Sequence, residues 1–201
     1  MIDLSTYITE VPNMLKSLMD AHPWETVKNL NGFLQDQIES LNDDYTIDGA
    51  VAIHKKAIVE HGAVLKGPIL ISKDCFVAAH SYLRGGVFLG NNVTIGPSCE
   101  IKSSIILNNS AIAHFNFIGD SIIGANVNFE AGSLIANHFN ERDIKKIHVY
   151  YKGNVIDTKS NKFGALVGDN SKIGANAVLS PGTLLTKKTV VKRLELIHQV
   201  P

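Results

Sequence analysis

The chain has 201 residues, 45% of them hydrophobic, with 19 Lys and Arg balancing 19 Asp and Glu. That length predicts one main domain with a small appendage, and the zero formal net charge leaves no basic footprint for nucleic acid or an anionic membrane. The opening MIDLSTYITEVPNM lacks the basic stretch and apolar run of a secretory signal, and no apolar run approaches the roughly twenty residues that cross a bilayer, so a soluble cytoplasmic protein is expected.

Residues 1–42 read as helical. Trp24, Val27, Leu30, Leu34, Ile38 and Leu41 recur at three and four, the spacing of an amphipathic helix. Pro23 suits a first helical turn, and a shorter helix is expected over Val11 to Met19. The expected role is a small α-helical cap closing the lower end of the next domain and hiding its unpaired strand edge. Docking of a partner protein is the other use of such a surface.

From about 43 to 195 a period of six takes over. Aliphatic or small residues stand at Ile47, Ile53, Val59, Leu65, Ile71, Val77, Leu83, Leu89, Ile95, Ile101, Leu107 and Ala113. Two five-residue steps lead to Ile118 and Ile123, Phe129 and Ile135 resume the six, and the series returns at Val167, Ile173, Leu179, Leu185 and Val191. Small or β-branched residues follow most of these after four more, as at Ala63, Ser81 and Val127. A helix cannot use this period. An all-β solenoid can, namely a left-handed parallel β-helix of hexapeptide repeats, which points two of every six side chains inward. Three such sides make a coil of about eighteen residues, and coils stack about 4.8 Å apart, so residues eighteen apart share a column. Cys75 and Cys99 fall on inward positions in different columns. They are expected to act as small hydrophobes rather than as a disulfide.

Between Asn137 and Gly164 the period vanishes into NERDIKKIHVYYKGNVIDTKSNK. An extruded loop over about 138–165 is expected, with a hairpin turning at Lys152-Gly153-Asn154 and a surface suited to binding. Eight histidines are present, but none lies five residues from another as a zinc site between subunits would need, so no metal is expected. The winding is irregular just after His114, and imidazole is the usual general base near neutral pH. Arg84 and Lys102 are expected to stack on adjacent coils as a two-cation clamp, since like charges that close repel unless an anion sits between them.

The segment AHFNFIGDSIIGANVNFEAGSLIAN resembles AHLTYLGD and GDNVNIGAGTITCN of the acetyltransferase domain of bacterial bifunctional N-acetylglucosamine-1-phosphate uridyltransferases. SYLRGG and CEIK are similar to that family's ARLRPG and VEMK, with the same spacing from Arg84 to Lys102 to His114. Downstream, KGNVIDTKSNKFGALVGDN is similar to the archaeal two-activity sugar-1-phosphate enzymes. The resemblance covers roughly residues 77 to 185.

The resemblance implies acetyl transfer from acetyl-CoA to the amine of an amino-sugar phosphate such as glucosamine 1-phosphate, in a homotrimer with sites between subunits. His114 matches the general base, Asn137 the asparagine that steadies the oxyanion, Asn128 a sugar contact, and Arg84 and Lys102 the phosphate-binding cations. The pantetheine arm would pass Gly164, Ala165, Ser180 and Gly182, with the diphosphate near Lys187 or Lys188. Phe117 replaces a tyrosine, Glu130 a glycine, and Asp143 a lysine for which Lys145 or Lys146 would stand in. The lost hydroxyl and the added acid point to another amino-sugar phosphate or to an inactive site. No glycine-rich nucleotide-binding segment precedes the repeats, which implies a separate nucleotidyltransferase as partner. The alternative is a non-catalytic β-helix that trimerises and regulates such a partner; a third reading keeps the acyl transfer but changes the acceptor to a hydroxyl or a different amine.

Overall fold

The computed structural model describes residues 1–200. From Val51 onward, short parallel strands wind a left-handed β-helix with three faces. One face stacks Val64–Lys66, Phe117–Gly119, Leu134–Ile135, Val178–Leu179 and Leu196–Ile197. Between the first two of these come the long strands Tyr82–Leu89 and Glu100–Ile106, which turn a corner onto a second face with Ile69–Ile71, Ile122–Ile123, Ala165–Val167 and Thr183–Leu185. The third face runs from Ile58–Val59 through Ala111–Ile112 and Asn128–Phe129 to Val190–Val191. Inward aliphatic residues fill the prism, and Cys75 and Cys99 are buried and free as expected.

The six-residue series differs from the expectation at three places. Ile47 lies outside the helix: Tyr45–Asp48 folds back antiparallel on Val51–His54 and so covers the lowest strand edge, leaving Ile47 44% exposed. The inward residues after Ile101 are Ile106 and Ile112, not Leu107 and Ala113. The cause is one corner. Arg84 pairs with Lys102 but Val87 pairs with Ser104, so the bulge at Gly85 and Gly86 is matched by one residue fewer in the coil above. Here the coils are seventeen residues long, as Thr94 pairs with Ala111 and Ala111 with Asn128, and eighteen returns above the inserted segment, where Lys172 pairs with Val190. The five-residue steps are therefore Ile101 to Ile106 and Ile118 to Ile123, both at this corner. The extruded segment leaves from the same corner, between Asn137 and Gly164. Its hairpin pairs His148–Tyr151 with Asn154–Asp157 through Lys152 and Gly153, both at positive φ.

The N-terminal segment is not an end cap. Its helix, Pro23–Ile38, buries Trp24, Val27, Leu30, Leu34 and Ile38 along the flank of the prism. They face an outward column of the second face, Leu70, Phe88, Ile105, Ile122, Leu166 and Leu184, whose lower strands meet the helix and whose top strand meets the extruded hairpin. That column explains the placement, because six stacked apolar side chains facing water would be far less favourable. Gly86, at φ +97°, lets the helix approach: a Cβ there would lie 3.1 Å from the Asn31 backbone. The apolar side of this helix is thus occupied by its own chain and is not free to dock a partner. Within Val11 to Met19 only Lys16–Met19 is α-helical, after a 3-10 turn at Asn13–Leu15.

Candidate active site

The first face carries two outward columns. One runs Val64, Tyr82, Glu100, Phe117, Leu134, Val178 and Leu196; the other runs Lys66, Arg84, Lys102 and Gly119, then Ala136, Ser180 and His198. Arg84 and Lys102 stack directly, as expected. The anions between them, however, are the chain's own. Arg84 Nη2 and Nε lie 2.7 and 2.8 Å from Glu100 Oε1, and the guanidinium sits 5.7 Å from the Tyr82 ring centre. Lys102 Nζ lies 2.6 Å from Asp120 Oδ2, with side chains only 14% and 11% exposed.

Asp120 stands at the irregular corner, at positive φ, one residue past Gly119. The same oxygen that meets Lys102 also accepts a short hydrogen bond from Asn137 Nδ2, and Asn137 Oδ1 lies 3.1 Å from His138 Nδ1. Lys102, Asp120, Asn137 and His138 therefore form one connected chain of polar contacts. Asp120, Glu100 and His138 were missed by sequence reasoning. Asp120 was within reach, since it lies eighteen residues after Lys102. Gly119 makes room between the Phe117 ring and Asn137: a Cβ at Gly119 would sit 2.8 Å from Phe117 Cζ and 2.9 Å from Asn137 Nδ2.

His114 lies at the other edge of this face. Its carbonyl accepts from Gly132 N at 2.8 Å and Asn116 Nδ2 at 3.0 Å, while the side chain is exposed beside Phe115, itself 70% exposed at φ +55°. Six positions of strand rise, about 20 Å, separate the His114 corner from the Asn137 corner. Within one chain His114 is thus not brought against Asn137. Asn128 is on the third face, in the column of Ala111 and Lys172, just around the corner from His114.

The remaining expected residues are scattered. Gly164 and Ala165 are buried: Ala165 is part of the prism core, and a Cβ on Gly164 would collide with Gly119 O and Ser121 Oγ. Gly182 is covered by the hairpin, whose His148 carbonyl fills the space of a Cβ. These three need small residues for coil packing, so none offers a surface to pantetheine. Ser180 stays on the first face and is 8% exposed, with Oγ 3.1 Å from His198 Nδ1. Lys187 stands at the corner between the second and third faces, beside Gly168, away from the others. Lys146 sits in the extruded segment, 3.9 Å from Asp157. Glu130 does not remain a loose acid: Arg193 binds it through Nη2 at 2.7 Å and Nε at 2.8 Å, and Ala175 N donates at 2.9 Å. The Arg193 hydrogen bonds, followed by that backbone N–H, hold its carboxyl below the usual range.

Among the described residues, no group of three or more His, Cys, Asp or Glu side chains is placed to hold a metal ion, and no helix is long and apolar enough to cross a membrane.

Fold and site together define a hexapeptide-repeat left-handed β-helix with a polar working face. Residues 65–190 match the family described as the GMPPB C-terminal domain, and the chain belongs to that family. Similar curated proteins are the bifunctional protein GlmU of Methanococcus maripaludis strain C7, 39% identical over 85% of this chain and 42% of its own length, and the bifunctional sugar-1-phosphate nucleotidylyltransferase/acetyltransferase of Sulfurisphaera tokodaii, 35% identical over 83% of this chain and 40% of its own. The bifunctional protein GlmU of Buchnera aphidicola is 32% identical over 80% of this chain and 26% of its own length. The chain thus spans about two fifths or less of these relatives.

Proposed function

We propose that this chain is an acetyl-CoA-dependent N-acetyltransferase acting on an amino-sugar phosphate of the glucosamine 1-phosphate type. The observation that carries the reading is the connected face of Arg84, Lys102, Asp120 and Asn137 with Phe117 beside it and His114 at its edge. Of these, the resemblance assigns Arg84 and Lys102 to the phosphate, Asn137 to the thioester and His114 to the proton. The names of the archaeal relatives support the same chemistry.

In the reaction, the acceptor nitrogen attacks the thioester carbonyl, forming the C–N bond as the C–S bond breaks. His114 takes a proton from the ammonium, which otherwise has no lone pair to donate, and CoA departs as a thiolate that takes up a proton in turn. Asn137 has two amide N–H groups; one is spent on Asp120, and the other points its charge at the thioester oxygen as that oxygen gains negative charge. Arg84 and Lys102 hold the phosphate, which then competes with Glu100 and Asp120 for them. Asn128 contacts the sugar. Of the residues expected at CoA, Ser180 alone keeps that role.

The chain acts as a homotrimer. His114 and Asn137 stand at opposite edges of one face, so a neighbouring copy is needed to enclose a small substrate. Ile58 and Val190 on the third face, Phe115, Leu194 and Leu196 are 60 to 79% exposed, spread along the height of the prism on the His114 side, and large apolar groups so exposed favour burial against another copy. A cytoplasmic location and a separate nucleotidyltransferase partner belong to the same reading.

A second reading, a non-catalytic trimeric subunit regulating such a partner, draws on one observation: both clamp cations are already neutralised by Glu100 and Asp120. Thiol release from acetyl-CoA separates the two. With glucosamine 1-phosphate or a related amino-sugar phosphate, the enzyme reading expects sustained release that requires the acceptor. No release with any acceptor, and no thermal stabilisation by acetyl-CoA, would favour the regulatory subunit.

A further inference from the structure

The extruded segment starts against the upper end of the first face, at Phe139 and His198, before its hairpin packs on the second. Phe139 is 6% exposed and its ring stands edge-on to His198, with centres 6.1 Å apart. The Arg142 guanidinium carbon lies over the same Phe139 ring, 3.6 Å from its centre. His198 in turn meets Ser180, which stacks above Ala136 and Gly119 in the Lys102 column. Arg142, Phe139, His198 and Ser180 thus make a wall and floor continuous with the Asn137 corner.

The chain has three arginines. Arg84 is paired with Glu100 and Arg193 with Glu130. Arg142 alone, among the described residues, has no carboxylate within ion-pair distance, although Glu141 and Asp143 flank it. A guanidinium held over an aromatic ring loses little freedom on binding an anion. Lys146, the cation expected here from the sequence, is turned to Asp157 instead.

We infer that Arg142, held on Phe139, is the specificity-determining cation for a phosphoryl group bound over Ser180 and His198. The inference rests on the proposed function for the ligand's identity. The ligand chemistry is a phosphate ester of CoA, since the acceptor's single phosphate already belongs to Arg84 and Lys102, the nearer of them three stacked positions below Ser180 and roughly 14 Å away.

The test is calorimetric binding to the full chain and to Arg142→Gln. The probes are glucosamine 1-phosphate against glucosamine, and CoA against pantetheine. Loss of a charged hydrogen bond to one phosphoryl group predicts roughly ten- to hundredfold weaker binding of CoA, with pantetheine and both glucosamine probes unchanged. Arg142→Lys is expected to recover part of the affinity. Unchanged binding of CoA in Arg142→Gln, or weakening of glucosamine 1-phosphate alone, overturns the inference while leaving the proposed function intact. Equal weakening of the phosphorylated and unphosphorylated members of a pair also overturns it, by making Arg142 a structural residue. If the native chain binds neither phosphorylated probe, the inference and the proposed function fail together.

Discussion

Lys102 Nζ and Asp120 Oδ2 lie 2.6 Å apart on adjacent coils, both largely buried, and the same carboxylate holds Asn137. Asp120 therefore links the cation of the phosphate clamp to the amide of the thioester site. Asp120→Asn keeps the shape, removes the charge, and leaves Lys102 without its counterion. The expected loss is about 1–3 kcal/mol, read from the urea midpoint at an unchanged slope. An unaltered midpoint would mean that Lys102 finds another partner at no cost.

Gly119 tests the fit of Phe117 and Asn137. Both nearest atoms are ends of side chains, so Gly119→Ala is expected to fold with a small stability loss. The displaced Asn137 amide should lower the acetyl-transfer rate by roughly 10²-fold, the scale of a 1 Å misplacement. Gly164→Ala meets backbone and must cost stability instead, so the two alanines should separate cleanly in a melt and a rate assay.

Burial pushes the Cys75 thiol up to about 11, and its Sγ contacts Gly90 O at 2.9 Å. At pH 8 only about one such thiol in a thousand is ionised, so thiol reagents should label Cys75 only through opening of the fold. Its raised pKa also gives a sign for alkaline stability. The contribution is intact below the ordinary value of 9.0 and is lost as the pH climbs through about 11. Rapid labelling of the native chain at pH 8 would place Cys75 at the surface.

Leu34 is 0% exposed between the N-terminal helix and the prism. Leu34→Ala should cost about 2–5 kcal/mol in the single transition that unfolds the prism. A loss below about 1 kcal/mol would return the helix to the role of a detachable docking element.

The prism was legible because Ile71, Val77, Leu83, Leu89 and Ile95 keep an unbroken period of six, with Cys75, Val87 and Val93 as the second inward set. Legibility failed at Ile105-Ile106-Leu107, where three aliphatics adjoin. One points into the core and the flanking two pack under the N-terminal segment, and a strand buried on both sides carries no alternation to read. The end-cap expectation failed for the same reason, since the outward apolar column was not separated from the inward one. Arg84 and Lys102 could be stacked by arithmetic because no residue is lost between them. Arg142 could not be placed, because the extruded segment has no period. Its position depends on the contact of Phe139 with His198, nearly sixty residues further along the chain.

The most direct measurement is the rate of thiol release from acetyl-CoA with an amino-sugar phosphate acceptor, for the native chain and for His114→Ala. Loss of a general base predicts a fall of about 10²–10⁴-fold, with acetyl-CoA binding and the melting temperature preserved. A rate within a few-fold of the native chain would contradict the assignment of His114 and remove the catalytic edge from this face.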